Sequence, residues 1–144
     1  MSSTLSHALV PKLRTSFGDI AMAIYPDNHK IAVFTAVHRE IGDFILYDDG
    51  DELTLCLGNF THIHFSNYEA ALSDSEKDED ITDRLVDFLK KLFADKIEFY
   101  GNERGGGCQE RGSTERGAFS KLLFGQKVYV WSGPIIDGSD QLTS

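Results

Sequence analysis

Apolar and polar residues alternate along most of the first half of the chain, and this pattern predicts β-strands. Ile20, Met22 and Ile24 are separated by polar or small residues, the period of two expected of a strand with one buried face. The apolar run 44–47 leads into Asp-Asp-Gly-Asp at 48–51 and then a second alternating run. Asp-Gly between two apolar runs predicts a β-hairpin. We expect five strands here, joined by turns too short for crossover helices and therefore antiparallel.

The second half contains one clear helical pattern. Apolar residues recur at positions 81, 85, 88, 89 and 92, which places them on one stripe of a helix. Asp80 precedes this stripe and is predicted to be its N-cap. Alternation returns at 96–100 and 127–131, which predicts two further strands. The fold class is therefore α+β: an antiparallel sheet of about six to seven strands, with one long amphipathic helix packed on a face.

The same patterns divide the chain into a core and its flanking segments. Residues 1–16 are rich in Ser and contain Pro11, and they are predicted to form a flexible N-terminal arm. Residues 17–133 are predicted to form a single α+β domain. Within it, 101–117 has six glycines and little apolar content, so a Gly/Arg-rich loop is expected there. Residues 134–144 are predicted to be a C-terminal tail.

Composition and charge restrict the classes of function. The 144 residues are 41% hydrophobic and 11% aromatic, which is typical of a globular protein. Lys and Arg number 14 against 23 Asp and Glu, a formal net charge of −9. A surplus of negative charge repels phosphate backbones, so we expect no nucleic-acid partner. No apolar run reaches the length of about 20 residues that crosses a bilayer, so we expect no membrane partner.

The acidic side chains are concentrated in two segments, the predicted hairpin turn and the approach to the helix together with its first half. They are Asp48, Asp49, Asp51 and Glu52 in the first, and Asp74, Glu76, Asp78, Glu79, Asp80, Asp83 and Asp87 in the second. Crowded like charges repel one another, whereas a negative field speeds and orients association with a basic surface. We therefore expect these residues to contact a basic partner. The alternative is that these residues only keep the surface soluble and place negative charge at the start of the helix, where it is favourable.

Tyr129 and Trp131 are expected to share one face of the last strand. Exposed aromatic side chains are typical anchors of a binding interface, so both are included in the predicted partner-binding surface. The alternative is that they pack beneath the helix or a loop.

His62 and His64 are the only pair with a spacing suited to a metal ion. Residues i and i+2 of a strand project from the same face, so two imidazoles could ligate one ion. Zinc needs a third ligand, for which Glu69 or His38 is a candidate. The alternative is that both histidines face solvent while their neighbours point inward. We expect no cofactor.

The two cysteines, Cys56 and Cys108, allow one bridge, but two cysteines do not make a disulfide framework. A reducing, cytoplasmic location is expected. Cys108 follows three glycines and lies between Arg104 and Arg111, a setting in which a thiol could be activated as a nucleophile. The alternative is a solvated connection.

Three functions from different classes agree with these patterns. The favoured one is a small acidic cytoplasmic protein that docks a basic protein. In size, acidity and α+β content the chain resembles bacterial immunity proteins, which neutralise basic nuclease toxins. The second is a homo-oligomeric structural or assembly protein, a homodimer for example, pairing through Tyr129 and Trp131. The third is an enzyme that uses Cys108 or the His62/His64 pair.

Overall fold

The fold consists of two helices and nine strands in the part of the chain that the structure describes. It is a computed structural model, and it describes residues 4–26, 28–58, 60–102, 105–111 and 128–134. In chain order the elements are α1 (Thr4–Ser16), β1 (Met22–Ile24), β2 (Lys30–Phe34), β3 (Phe44–Asp48), β4 (Glu52–Leu57), β5 (Thr61–Ser66), α2 (Asp74–Phe93), β6 (Ile97–Asn102), β7 (Gly105–Glu110), β8 (Val128–Val130) and β9 (Gly133–Pro134).

The strands form two antiparallel sheets. The first is a five-stranded meander in the order β1-β2-β3-β4-β5, and the second has the order β7-β6-β8-β9. The predicted α+β class, the antiparallel pairing and the hairpin at the Asp-Gly turn are confirmed. The strand count differs, because the prediction placed six to seven strands in one sheet.

Helix α2 packs on the inner face of the first sheet, and α1 packs against α2. Leu53, Leu55 and Leu57 of β4 are fully buried on this face, and Phe88 of α2 packs edge-on against Phe65 of β5. The opposite, outer face of β4 carries Thr54 and Cys56, while the outer face of β5 carries His62 and His64. The fold therefore leaves a polar sheet face directed away from the core.

The predicted flexible N-terminal arm is corrected by the structure, because residues 4–16 form helix α1. Leu5, Leu9 and Leu13 recur at intervals of four and are fully buried. Each such leucine contributes about 1.5–3 kcal/mol, so together they outweigh the cost of about 3 kcal/mol for Pro11 inside the helix. Pro11 therefore does not prevent residues 4–16 from forming a helix.

The start of α2 also differs from the prediction, which had Asp80 as the N-cap. The helix begins at Asp74 and is capped by Ser73. The Ser73 hydroxyl accepts a hydrogen bond from the Glu76 backbone amide at 3.2 Å, and the Glu76 carboxylate accepts one from the Ser73 amide at 3.0 Å. This reciprocal capping box satisfies two helix-end amides, so the acidic run belongs to the first turns of the helix.

Part of the predicted Gly/Arg-rich loop is regular structure. Residues 105–110 form β7, which pairs with β6, and Gly107 lies opposite Tyr100. A Cβ at Gly107 would lie 2.8 Å from the Tyr100 hydroxyl, so the ring takes the space that another side chain would need. Glu103-Arg104 and residues 112–127 lie outside the described residues, as does the tail beyond Pro134.

The two sheets meet through a cluster of aromatic rings. Phe44 of the first sheet packs against Phe99 of the second and against Trp131, and Phe60 packs against Phe99 and Tyr129. Tyr129 and Trp131 are only 6% and 4% exposed. The prediction that they form part of a partner-binding surface is therefore wrong, because they fill the junction between the sheets.

No helix in the described part of the chain is both long and apolar enough to cross a membrane.

Candidate functional site

The two acidic segments of the sequence converge on one groove. The β3–β4 turn contributes Gly50 and Asp51 to its lining, and the first turns of α2 contribute Asp74 and Asp78. The groove has a volume of about 340 Å³ and is completed by Thr4, Asn67, Tyr68, Lys77 and Ile81. A volume of this size can take a side chain or a small ligand.

Three carboxylates of this groove have no side-chain partner in the part of the chain that the structure describes. Among the described residues, no ion pair or side-chain hydrogen bond engages the carboxylates of Asp51, Asp74 or Asp78. Tyr68 lies beside them and is 67% exposed. Its hydroxyl donates to Glu52 Oε2 at 3.4 Å. We name these four groove residues, Asp51, Tyr68, Asp74 and Asp78, the acidic groove.

Tyr68 remains a neutral phenol in this setting. Desolvation of its hydroxyl, and then the negative charges of Asp51 and Glu52, raise its pKa above the ordinary value. Its ring therefore offers a neutral aromatic surface next to three carboxylates.

Two other predicted partner-binding residues hold the fold together locally. Asp48 is 9% exposed, and its carboxylate accepts a hydrogen bond from the Gly50 amide at 2.9 Å. This bond closes the β3–β4 turn, so the prediction that Asp48 contacts a partner is corrected. Glu76 remains exposed, but its carboxylate serves the capping box of α2.

Three further carboxylates of α2 pair with basic or amide groups of this chain. Asp80 Oδ2 accepts hydrogen bonds from Asn67 and Arg84, both at 2.9 Å. The Asn67 bond, and then Arg84, hold the pKa of Asp80 below its ordinary value despite opposing desolvation. Glu79 and Asp83 contact the Lys12 ammonium at 3.1 and 2.8 Å.

Lys12 joins α1 to α2 at this point. Its ammonium also donates to the Thr82 hydroxyl at 2.7 Å. Burial opposes the charged form, but the hydrogen bonds and charges of Asp83 and Glu79 outweigh burial and raise the pKa of Lys12. Asp87 lies in a shallow groove beside this contact together with Lys12 and Lys90, so charges of both signs line that surface.

A second polar cluster lies on the outer face of the first sheet. Three side chains meet there, Asp49, Glu52 and His64. Each offers one ligand atom, and the three atoms lie within 4.8 Å of one another. The Thr54 hydroxyl donates to Asp49 Oδ2 at 2.5 Å and lies 2.9 Å from His64 Nδ1. His29 Nε2 contacts Asp49 Oδ1 at 2.7 Å. The bonds from Thr54 and then His29 hold the pKa of Asp49 below its ordinary value, against desolvation.

His62 and His64 share the outer face of β5, as their spacing predicted, and both are exposed. Their rings are 5.1 Å apart and lie edge to face. Only His64 belongs to the cluster of ligand atoms, and neither Glu69 nor His38 belongs to it. The structure therefore joins His64 to residues of the β3–β4 turn that were predicted to contact a partner.

Both cysteines are free thiols and half-buried. Cys108 lies on β7 opposite Phe99, not in an exposed loop as predicted, and burial raises its pKa. Burial, and then the charge of Asp49, raise the pKa of Cys56. A nucleophilic cysteine needs a lowered pKa, so neither environment favours the thiolate.

No family model matches this chain, and comparisons with curated proteins and with solved structures also found no match.

Three residues at these clusters were not predicted as site residues from the sequence: His29, Thr54 and Tyr68. The signal for Thr54 was present in the hairpin pattern, since a β4–β5 pairing that places Leu55 opposite Ile63 also places Thr54 opposite His64. Tyr68 follows β5 in an irregular segment, and His29 lies in the turn before β2. No periodicity predicts where residues of such segments lie.

Proposed function

We propose that this chain is an acidic binding module that docks a basic protein through the acidic groove. The observation that carries the proposal is the convergence of two sequence-distant acidic segments on one groove beside an exposed tyrosine. The specific setting that we favour is an inhibitor of the immunity type, acting in the bacterial cytoplasm against a basic toxin.

The chemistry of the groove suits an arginine or lysine side chain of the partner. Asp51, Asp74 and Asp78 present three carboxylates against the single ammonium of Lys77. The Tyr68 ring, 67% exposed, offers a face on which a guanidinium stacks at about 0.5–1 kcal/mol. A planar guanidinium also pairs with a carboxylate through two parallel hydrogen bonds. We therefore expect an arginine of the partner to occupy the groove.

The position of the unpaired charges favours docking over general solubility. The carboxylates nearest to α1 and to Arg84 are neutralised within the chain, whereas those of the groove are not. Unpaired charges concentrated on one surface raise the rate of encounter with a basic partner. This field is screened over about 8 Å at physiological salt, so docking is expected to weaken as salt is added.

The test is a titration of the full chain with a tri-arginine peptide, in which changes in the backbone amide NMR chemical shifts are measured. We expect shifts centred on residues 50–51, 67–68 and 74–78, and weaker binding as salt is raised. A triple variant, Asp51→Asn, Asp74→Asn and Asp78→Asn, is expected to lose most of the affinity. Tyr68→Ala is expected to weaken binding about 2–5-fold, the equivalent of about 0.5–1 kcal/mol of cation–π energy.

The matched control removes the same number of charges from other surfaces. It carries Asp19→Asn, Glu69→Gln and Asp87→Asn, all exposed positions outside the groove. The control is expected to retain most of the affinity at moderate salt. Equal loss in the two triple variants would mean that net charge alone attracts the peptide, and the groove proposal would fail.

The same two triple variants are compared with the wild type in a pull-down from cell extract. Wild type and the control triple are expected to retain a basic protein at low salt, whereas the groove triple is expected to release it. Retention of the same protein by the groove triple would reject this surface as the docking site.

A further inference from the structure

The cluster on the outer sheet face has the donor set of a metal site. Zinc binds carboxylate oxygen and imidazole nitrogen at about 2.0–2.2 Å, so tetrahedral donor atoms lie about 3.4 Å apart. His64 Nδ1 and Glu52 Oε1 are 3.4 Å apart, and one ligand atom each of Asp49, Glu52 and His64 lies within 4.8 Å of the other two. We propose that Asp49, Glu52 and His64 bind one divalent cation of the zinc class.

The sheet register brings these three side chains together. Asp49 lies in the β3–β4 turn, and its amide donates to the Glu52 carbonyl at 2.9 Å. Glu52 begins β4, and His64 lies on β5 opposite Thr54. The ligands thus come from two paired strands and the turn between β3 and β4, so the ladder hydrogen bonds hold their backbone positions before any ion binds.

Neighbouring side chains orient the ligands. The Thr54 hydroxyl donates to Asp49 Oδ2 at 2.5 Å and lies 2.9 Å from His64 Nδ1, so it contacts two of the three ligands. His29 Nε2 lies 2.7 Å from Asp49 Oδ1. Because the Thr54 hydroxyl donates to Asp49, it accepts from the Nδ1–H of His64, and an ion that binds Nδ1 displaces that proton. Tyr68 donates to Glu52 Oε2 at 3.4 Å, and Glu52 Oε1 is the oxygen nearest to His64. Metal ligands in proteins are oriented by such outer hydrogen bonds, and removing one weakens metal affinity about 10–100-fold.

The donor types favour a first-row divalent ion. One imidazole and two carboxylates suit zinc and its neighbours in the series, whereas soft thiolate-preferring ions need sulfur ligands. The ion would also neutralise two adjacent carboxylates. Three protein ligands leave a fourth position for water on the exposed side of the sheet, as in zinc sites that remain open.

The test uses the full chain after removal of metal by a chelator. Titration with Zn²⁺ in a calorimeter is expected to give one ion per chain, and Co²⁺ is expected to give visible absorption bands of a bound ion. His64→Gln and Asp49→Asn are each expected to weaken Zn²⁺ binding at least about tenfold. Thr54→Val preserves shape but removes the hydroxyl that positions Asp49, and we expect a loss of about tenfold.

His62→Gln is the matched control. It removes an exposed imidazole from the same strand and face, outside the three-ligand cluster, and is expected to bind Zn²⁺ as the wild type does. Absence of binding to the wild type would overturn the proposal. Equal loss in His62→Gln and His64→Gln would also overturn it, because the ion would then lie between the two histidines.

Thermal unfolding provides a second readout. Zn²⁺ is expected to raise the melting temperature of the wild type and of His62→Gln but not of His64→Gln, since only the folded state presents the site. Should His64→Gln fail to fold, Glu52→Gln replaces it with the same expected result. The two proposed sites share Tyr68 but are tested separately, because the tri-arginine peptide is titrated without metal.

Discussion

At the scale of single residues, the carboxylates of α2 differ in what they contact although they are neighbours in sequence. Asp80 Oδ2 accepts hydrogen bonds from Asn67 and Arg84, whereas Asp78 lines the acidic groove. Residues two apart on a helix are separated by about 200° around its axis. This rotation directs the two side chains to different surroundings, so Asp80 is engaged within the chain while Asp78 lines the acidic groove without a side-chain partner among the described residues.

The pH dependence of stability should identify Asp80 as structural. Its pKa is lower in the folded protein than its ordinary value, so its contribution is present above the ordinary aspartate range, about pH 4, and is lost as the pH falls through the lowered folded value. Asp80→Asn is therefore expected to reduce the free energy of unfolding at neutral pH, with the difference from wild type shrinking at low pH. Urea unfolding at several pH values measures this difference.

The control for Asp80 is Asp19→Asn, an exposed carboxylate with no side-chain hydrogen bond or ion pair among the described residues. It is expected to unfold as the wild type does at every pH tested. A destabilisation by Asp80→Asn that stayed constant down to low pH would mean that the residue acts through packing and not through its charge.

The residues of both candidate sites could be predicted from the sequence only in part. The acidic segments could be located in the sequence, and the same-face placement of His62 and His64 is confirmed. Which carboxylates are engaged within the chain depends on side-chain contacts across long separations, such as Lys12 with Asp83 at 2.8 Å. No local pattern encodes such a contact, so the division between structural and unpaired carboxylates required the structure.

At the scale of secondary-structure elements, tertiary burial explains where the sequence patterns misled. The apolar stripe of α2 correctly predicted a helix, but the helix extends one and a half to two turns further toward its N-terminus because Ser73 and Glu76 cap it. In α1 the spacing of Leu5, Leu9 and Leu13 was a helical signal hidden by Pro11 and by polar neighbours. Packing against α2 decided the structure of this segment.

Leu9→Ala tests whether α1 is part of the core. Leu9 is fully buried, so truncation is expected to lower the free energy of unfolding by about 2–5 kcal/mol. Thr15→Ala, an exposed change in the same helix, is expected to stay within about 0.5 kcal/mol of wild type. Chemical denaturation of the wild type and the two variants measures these differences. A Leu9→Ala variant as stable as the wild type would mean that residues 4–16 are not part of the core.

At the scale of the whole molecule, the fold class could be predicted but the division into two sheets could not. Alternation and the Asp-Gly turn establish strands and their local pairing. Which strands join one sheet depends on pairing between distant segments, such as β6 with β8. The aromatic rings that join the sheets, Phe44 with Phe99 and with Trp131, come from elements more than 50 residues apart in the chain. Their contact follows from the fold and has no local signature.

This aromatic junction predicts that the two sheets unfold together. Phe99 is fully buried between Phe44, Phe60 and Tyr129, so Phe99→Ala is expected to cost about 3–5 kcal/mol. Trp131, the only tryptophan, reports the junction by fluorescence, whereas circular dichroism reports the helices. Both probes are expected to give coincident transitions in urea, shifted by the same amount in the Phe99→Ala variant.

The control is Val37→Ala, a change at a side chain that is 64% exposed. It is expected to leave both transitions in place. A fluorescence transition that precedes the loss of helix would mean that the second sheet unfolds on its own, and the shared core would not be the source of the cooperativity.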